Sequence, residues 1–240
     1  MIFLSGMPRS GTTLLTSLLN QRTDVYATPT SNLSGTVGAT IKTWQEAKET
    51  QASKGTFEDL LRIIDGILKN RYDIDKLVFD KNTNWAHPYV VRTLSCVQDV
   101  KIVATVRPMS ECVASFVKIA KPDNVSIEMF LKGDVIKYLL ESYNNLIQCH
   151  NEYPDKLLLI EYDNLITQPQ QELDRISNFV GLEKFKHDFN NVPESKEVDI
   201  VWNIKDLHKV RKKVSKSKYS VKEVLGDKIY NSYLGGEFWN

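Results

Sequence analysis

Residues 3–15 read Phe-Leu-Ser-Gly-Met-Pro-Arg-Ser-Gly-Thr-Thr-Leu-Leu, an apolar run that enters Gly6, crosses a short polar loop and leaves through Gly11 into a helix-forming stretch. Backbone N–H groups of such a loop and the positive end of the helix converge on one anion, the arrangement a phosphate needs. Gly6 and Gly11 allow positive φ and close approach of backbone to ligand. The plainer alternative is a strand-to-helix turn with incidental glycines. The spacing matches the G-x-x-x-x-G-K-[ST] phosphate loop at both glycines but puts Thr12 where that loop has lysine. Kinases and NTPases use that lysine on the β- and γ-phosphates. The cation here is Arg9, inside the loop, in reach of an oxygen between a bound phosphate and a group being transferred. Pro8, Ser10, Thr12 and Thr13 complete the candidate cradle. Asp80, after Leu77-Val78-Phe79, is a candidate magnesium-binding acid, but Lys81 beside it works against that role, so a magnesium-dependent phosphotransferase is the second reading.

Short apolar runs at residues 2–5, 77–80, 101–106 and 157–161 alternate with helical periodicity at 12–20, 89–96, 110–119 and 170–180. Such alternation predicts βα units and a parallel sheet. Residues 57–70 form a further amphipathic helix, apolar at Leu60, Leu61, Ile63, Ile64, Ile67 and Leu68, and 127–150 a longer helical region broken near Gly133. Residues 28–56 have weak periodicity and are expected to form a loop and helix over one edge. The expected fold is three-layer α/β, a central, mostly parallel sheet flanked by helices, in a single domain over residues 1–240. Within it, residues 205–240 are a basic stretch, one reading of which is a lid, and an aromatic-rich segment expected to dock on the body.

Composition narrows the function classes. The 240 residues are 42% apolar and 25% charged, which excludes a disordered chain. Lys plus Arg (31) nearly balance Asp plus Glu (30), so the whole molecule has no field for unspecific capture of nucleic acid. No apolar run approaches the roughly 18 residues of a membrane span. Ile2-Phe3-Leu4 reads as a strand from the start, so no leader peptide is expected within these residues. Cys96, Cys112 and Cys149 form no C-x-x-C pair and the four histidines no H-x-x-x-H spacing, so no metal site or disulfide framework is expected. The thiols are read as core-filling and reduced, and the cytoplasm is the expected compartment. The run Lys205, Lys209, Arg211, Lys212, Lys213, Lys216, Lys218, Lys222 is a solvated basic face, a nucleic-acid patch or a lid over a polyanion. Its sparse aromatic interleaving disfavours nucleic acid.

Pro8-Arg9-Ser10-Gly11-Thr12-Thr13 resembles the 5′-phosphosulfate loop of sulfotransferases that use 3′-phosphoadenosine 5′-phosphosulfate (PAPS), in the arginine form of the tyrosylprotein branch and its bacterial relatives. The resemblance implies a 3′-phosphate site built from an Arg at a strand end and a Ser about two helical turns later. Arg107, ending the run 101–106, and Ser115 match, one supplying a guanidinium fork and the other a hydroxyl. The rival for that pair is an ion pair with a helix serine; Lys118 lies in the same region. Lys81 matches a lysine on the sulfonate, its alternative being a solvated strand-end lysine, and Tyr162 lies near the nucleotide or in the core. The segment 160–165, with Phe179-Val-Gly-Leu182, is similar to the family's late strand and following helix. Arg211, Lys213 and Ser215 are the implied lid contacts, although the family's arginine–lysine–glycine loop is missing.

The implied reaction moves a sulfonyl group from PAPS to a hydroxyl, or an amine, of a carbohydrate, small molecule, lipid or peptide, and leaves adenosine 3′,5′-bisphosphate (PAP). A non-catalytic adenine-nucleotide-binding module is a further alternative. Arg9 and Lys81 would stabilise charge on the bridging oxygen and the sulfonate, with no metal needed. The tyrosylprotein branch has a glutamate base soon after the loop, and residues 26–33 contain no acid. His87, Glu46 and Glu49 are therefore base candidates by location alone.

Overall fold

The computed structural model describes residues 1–194, 201, 204–216 and 218–239. Residues 195–200, 202 and 203 of the expected single domain, Ser217 of the basic run and Asn240 of the docking segment lie outside the described residues. Five strands, β1 Ile2–Gly6, β2 Val25–Ala27, β3 Leu77–Lys81, β4 Ile102–Val106 and β5 Leu157–Glu161, form one sheet in the order β2-β3-β1-β4-β5. Every neighbouring pair is parallel. The helices are α1 Thr12–Leu19, α2 Leu33–Glu46, α3 Lys48–Ala52, α4 Phe57–Asn70, α5 Pro88–Leu94, α6 Met109–Ala120, α7 Ile127–Phe130, α8 Asp134–Glu152, α9 Tyr162–Thr167, α10 Pro169–Val180, α11 Val221–Leu225 and α12 Asp227–Ser232.

Alternation along each strand divides the core. Ile2 and Leu4 of β1 face one side with Leu15 and Leu18 of α1 and Leu173 and Ile176 of α10. Phe3 faces the other with Trp85 (ring centroids 4.5 Å apart) and with apolar residues of α2, α4, α6 and α8. A parallel sheet covered on both faces needs such two-sided apolar strands, and the result is the expected three-layer α/β fold.

Two stretches differ from expectation. Residues 33–46 are a regular helix that buries Leu33, Val37 and Ile41 against Leu60, Ile64 and Leu68, so this segment covers a sheet face and not merely an edge. Its Thr, Ser and Gly content conceals a stripe of one apolar residue per turn. β2 is a three-residue edge strand, too short for a period to register. Asn20 substitutes for a missing outer neighbour, donating to the Ala27 carbonyl (2.7 Å) and accepting from the Ala27 N–H (2.8 Å). The α7–α8 break falls at Gly133, the α8 N-cap. Near the C-terminus Phe238 packs on Tyr143 and His150, at 5.6 and 5.7 Å between centroids.

Candidate active site

β3 and β4 flank β1, so the connections that leave β1 and β4 diverge and open a crevice at their carboxyl ends, where α/β sheets hold ligands. The phosphate-loop candidate leaves β1 and Arg107 follows β4, so both face this crevice.

The loop is shaped from within. Gly6 has φ 147°, and a Cβ there would lie 2.8 Å from the Thr105 carbonyl. Gly11 has φ 98°, and a Cβ there would meet the Tyr162 ring at 2.7 Å. Arg9 also adopts a left-handed conformation, φ 71°, strain of a kind concentrated at functional loops. Ser10 departs from its expected role. Its hydroxyl is buried against the Met7 carbonyl (2.6 Å) and Thr105 (2.9 Å to the carbonyl), and its N–H is bonded to Met7. Ser10 therefore holds the loop shut rather than facing an anion. Gly11 caps α1 without a side chain, so the first-turn N–H groups at Thr12 and Thr13 open on the crevice.

The second anion pair lies beside the first. Arg107 donates through Nη1 to the Arg9 carbonyl (3.1 Å) and through Nε to Glu111 (2.8 Å), while its guanidinium stacks 4.1 Å from the Tyr162 ring centre. Arg9 Nε donates to Ser115 Oγ at 3.1 Å, and Arg9 Nη1 to the Leu207 carbonyl. One guanidinium thus joins loop, α6 and basic segment. That is a different direction from the sulfonate-facing role expected of Arg9. Burial, with Arg107 nearby, pushes the Arg9 pKa below its ordinary value. Two guanidiniums this close favour an anion between them.

Lys81 ends β3, is 8% exposed, and donates to Thr13 Oγ1 at 3.4 Å. It is not a solvated strand-end lysine. Asp80, fully buried, accepts from Trp85 Nε1 (2.7 Å) and from the Tyr72 hydroxyl, which removes it from any magnesium role. Burial and then this bond raise the Tyr72 pKa.

A cavity of about 600 Å³ unites these groups. Pro8, Arg9, Gly11, Thr12, Thr13, Lys81, Arg107, Ser115, Lys118 and Tyr162 line it from the body, and Arg211, Lys213 and Ser215 from the basic segment. Arg211 folds that segment on itself, donating to the Ser215 and Lys216 carbonyls at 2.8 and 2.9 Å. Val192 N–H to Lys212 (2.8 Å) and Val214 N–H to Phe189 (2.9 Å) tether it to the body.

The expected base candidates are not brought there. His87 caps α5, its Nδ1 accepting from the Tyr89 N–H at 3.3 Å, and lies outside the cavity lining. Glu46 and Glu49 are exposed on α2 and α3, also outside it. The cavity instead presents Asn82, Thr83, Asp134, Tyr138, His208 and Tyr219, none singled out in the sequence. Asn82 and Thr83 were readable as the continuation of Lys81; Asp134 and Tyr138 share one face at the start of α8. Cys112 and Cys149 are buried, and burial lifts both thiols to about 12, so they stay protonated. Cys96, expected in the core, is at the surface.

The profile of the sulfotransferase family matches residues 2–187, and the chain belongs to that family. It is 26% identical over 197 residues to a Caenorhabditis briggsae protein named "Putative protein-tyrosine sulfotransferase", covering 76% of this chain and 66%, just under two thirds, of that relative. Among solved structures, the "Sulfotransferase Domain from the Curacin Biosynthetic Pathway" superposes with a TM-score of 0.53 at 20% identity, over 78% of this chain and 75% of the other. A sulfotransferase from Alicyclobacillus acidocaldarius gives 0.51 at 15% identity, over 82% and 85%. At such identities the structures speak for the fold alone.

Proposed function

We propose that the protein transfers a sulfonyl group from PAPS to a hydroxyl-bearing acceptor and releases PAP. The observation that carries this reading is the bridge at Arg9, whose carbonyl is held by Arg107 and whose guanidinium reaches Ser115. Two anion sites so joined match the opposite ends of one doubly phosphorylated adenosine. The 5′-phosphate would rest on the N–H groups and hydroxyls of Thr12 and Thr13, and the 3′-phosphate on Arg107 and Ser115, with Tyr162 fixing the Arg107 plane. Lys81, poised over Thr13, would meet the charge that grows on the leaving oxygen and the sulfonate. Arg211, Lys213 and Ser215 would close over the nucleotide. The buried thiols of Cys112 and Cys149 support a reducing compartment such as the cytoplasm. Among the described residues no helix is long and apolar enough to cross a membrane.

The test is transfer of radiolabelled sulfonyl from PAPS to a panel of phenols, sugars, lipids and peptides. Lys81→Ala should lower kcat on the order of a hundredfold, the scale of losing one electrostatic contact to the transition state. Unchanged transfer would remove Lys81 from the mechanism, and no transfer by the native chain to any acceptor would contradict the reading.

A further inference from the structure

Sulfonyl transfer to a hydroxyl releases a proton, and the residues expected to receive it point elsewhere: His87 caps a helix, and Glu46 and Glu49 lie outside the cavity. Arginine, lysine and tyrosine side chains ordinarily keep their protons at neutral pH. Among the described residues lining the cavity, two groups of other types can accept one: Asp134 and His208. The Asp134 side chain is 97% exposed and 3.1 Å from Lys137, so its charge is already met by an ammonium and by water. An imidazole ordinarily titrates between about pH 5 and 8, the range suited to a base working at neutrality.

The position of His208 is tied to the chemistry. Arg9, the loop cation, donates to the carbonyl of Leu207, the residue immediately before it, and the same guanidinium donates to Ser115. Whatever seats Arg9 between the two anion sites also seats the backbone that carries the imidazole. The half-buried ring shares its cavity with Arg9, Lys81, Arg107 and Lys118 from the body and Lys209, Arg211 and Lys213 from its own segment. Among the described residues of the lining, Asp134 is the carboxylate, and Tyr138, Tyr162 and Tyr219 are the phenols. The phosphates and sulfonate of the donor would offset these cations, so an imidazolium formed during reaction has anions beside it.

We propose that His208 is the general base, delivered to the acceptor by the basic segment. The inference rests on the sulfonyl-transfer reading. The acceptor O–H gives its proton to an imidazole nitrogen as its oxygen bonds to sulfur. The bond from sulfur to the 5′-phosphate oxygen breaks with its electron pair on that oxygen, leaving sulfated acceptor and PAP, and the imidazolium then yields its proton to water.

The experiment uses the full chain, PAPS and two phenols, at mildly alkaline pH: 4-nitrophenol, which is largely ionised there and needs no base, and 4-methylphenol, which is protonated. His208→Gln should slow transfer to 4-methylphenol on the order of a hundredfold, alter transfer to 4-nitrophenol by less than about threefold, and leave PAP affinity unchanged. Unchanged affinity also shows that the variant is folded. Equal loss with both phenols, a fall in PAP affinity that accounts for the rate, or the selective loss in Asp134→Asn instead would overturn the assignment. A native chain inactive with both phenols and with the wider acceptor panel would overturn the transfer reading, and the base with it.

Discussion

Gly11 shows how little room the nucleotide cradle has. At φ 98°, with the Tyr162 ring 2.7 Å from where a Cβ would stand, any side chain must displace the ring that stacks on Arg107. Gly11→Ala should therefore weaken PAP binding at least about tenfold, near 1.4 kcal/mol, and calorimetry with PAP would measure it. A second residue governs acid stability. His187 is buried between Phe185 (4.8 Å) and Phe189 (6.2 Å), and neither ring nitrogen has a hydrogen-bond partner among the described residues. Burial, and then Arg22, lower its pKa, only partly opposed by the nearby Phe185 backbone and then by Asp174. Because the folded state resists the proton, the unfolded state binds more of it once pH falls below about 6.5. Stability should be complete above that pH and decline below it, and His187→Phe should flatten the decline in Tm measured from about pH 7 to about pH 5.

At the level of elements, backbone bonds from the N–H of Val214 to Phe189 and from that of Val192 to Lys212 tie the basic segment to the body, beside the Lys216–Asp163 ion pair. Val214→Pro removes the first donor. On the proposed lid role, PAP should dissociate roughly three- to tenfold faster, the scale of one hydrogen bond, as read by stopped-flow displacement; an unchanged rate would deny that the segment covers the nucleotide. How legible each element was follows from its physics. β1, β3, β4 and β5 are continuous apolar runs because both faces of their sheet are buried, and α4 carries a Thr56–Asp59 capping box ahead of an apolar stripe. β2 escaped because three residues carry no period, while the helix expected within 28–56 was read as an edge cover because the Thr and Gly of α2 hide its apolar stripe. The loop was legible because its chemistry is local. The cavity role of His208 was not, because it depends on a contact between Arg9 and Leu207 that spans nearly the whole chain.

The whole molecule carries a formal charge of +1, yet among the described residues its cavity gathers Arg9, Lys81, Arg107, Lys118, Lys209, Arg211 and Lys213 around one lining carboxylate, Asp134. Charge balance over the chain thus hides a concentrated field, and the parallel sheet creates it by setting the ends of β1, β3 and β4 side by side. Affinity for PAP should accordingly fall more steeply with added salt than affinity for adenosine 5′-monophosphate. The most direct measurement compares those two ligands by calorimetry without magnesium, on the native chain and on Arg107→Ala. The native chain should bind PAP far more tightly, and the substitution should cost PAP roughly ten- to a hundredfold, as expected for a charged hydrogen bond, and cost the monophosphate clearly less, through the lost hold on the Arg9 carbonyl alone. Equal affinity for the two ligands, or a preference for ATP with magnesium, would contradict the paired anion sites on which the account stands.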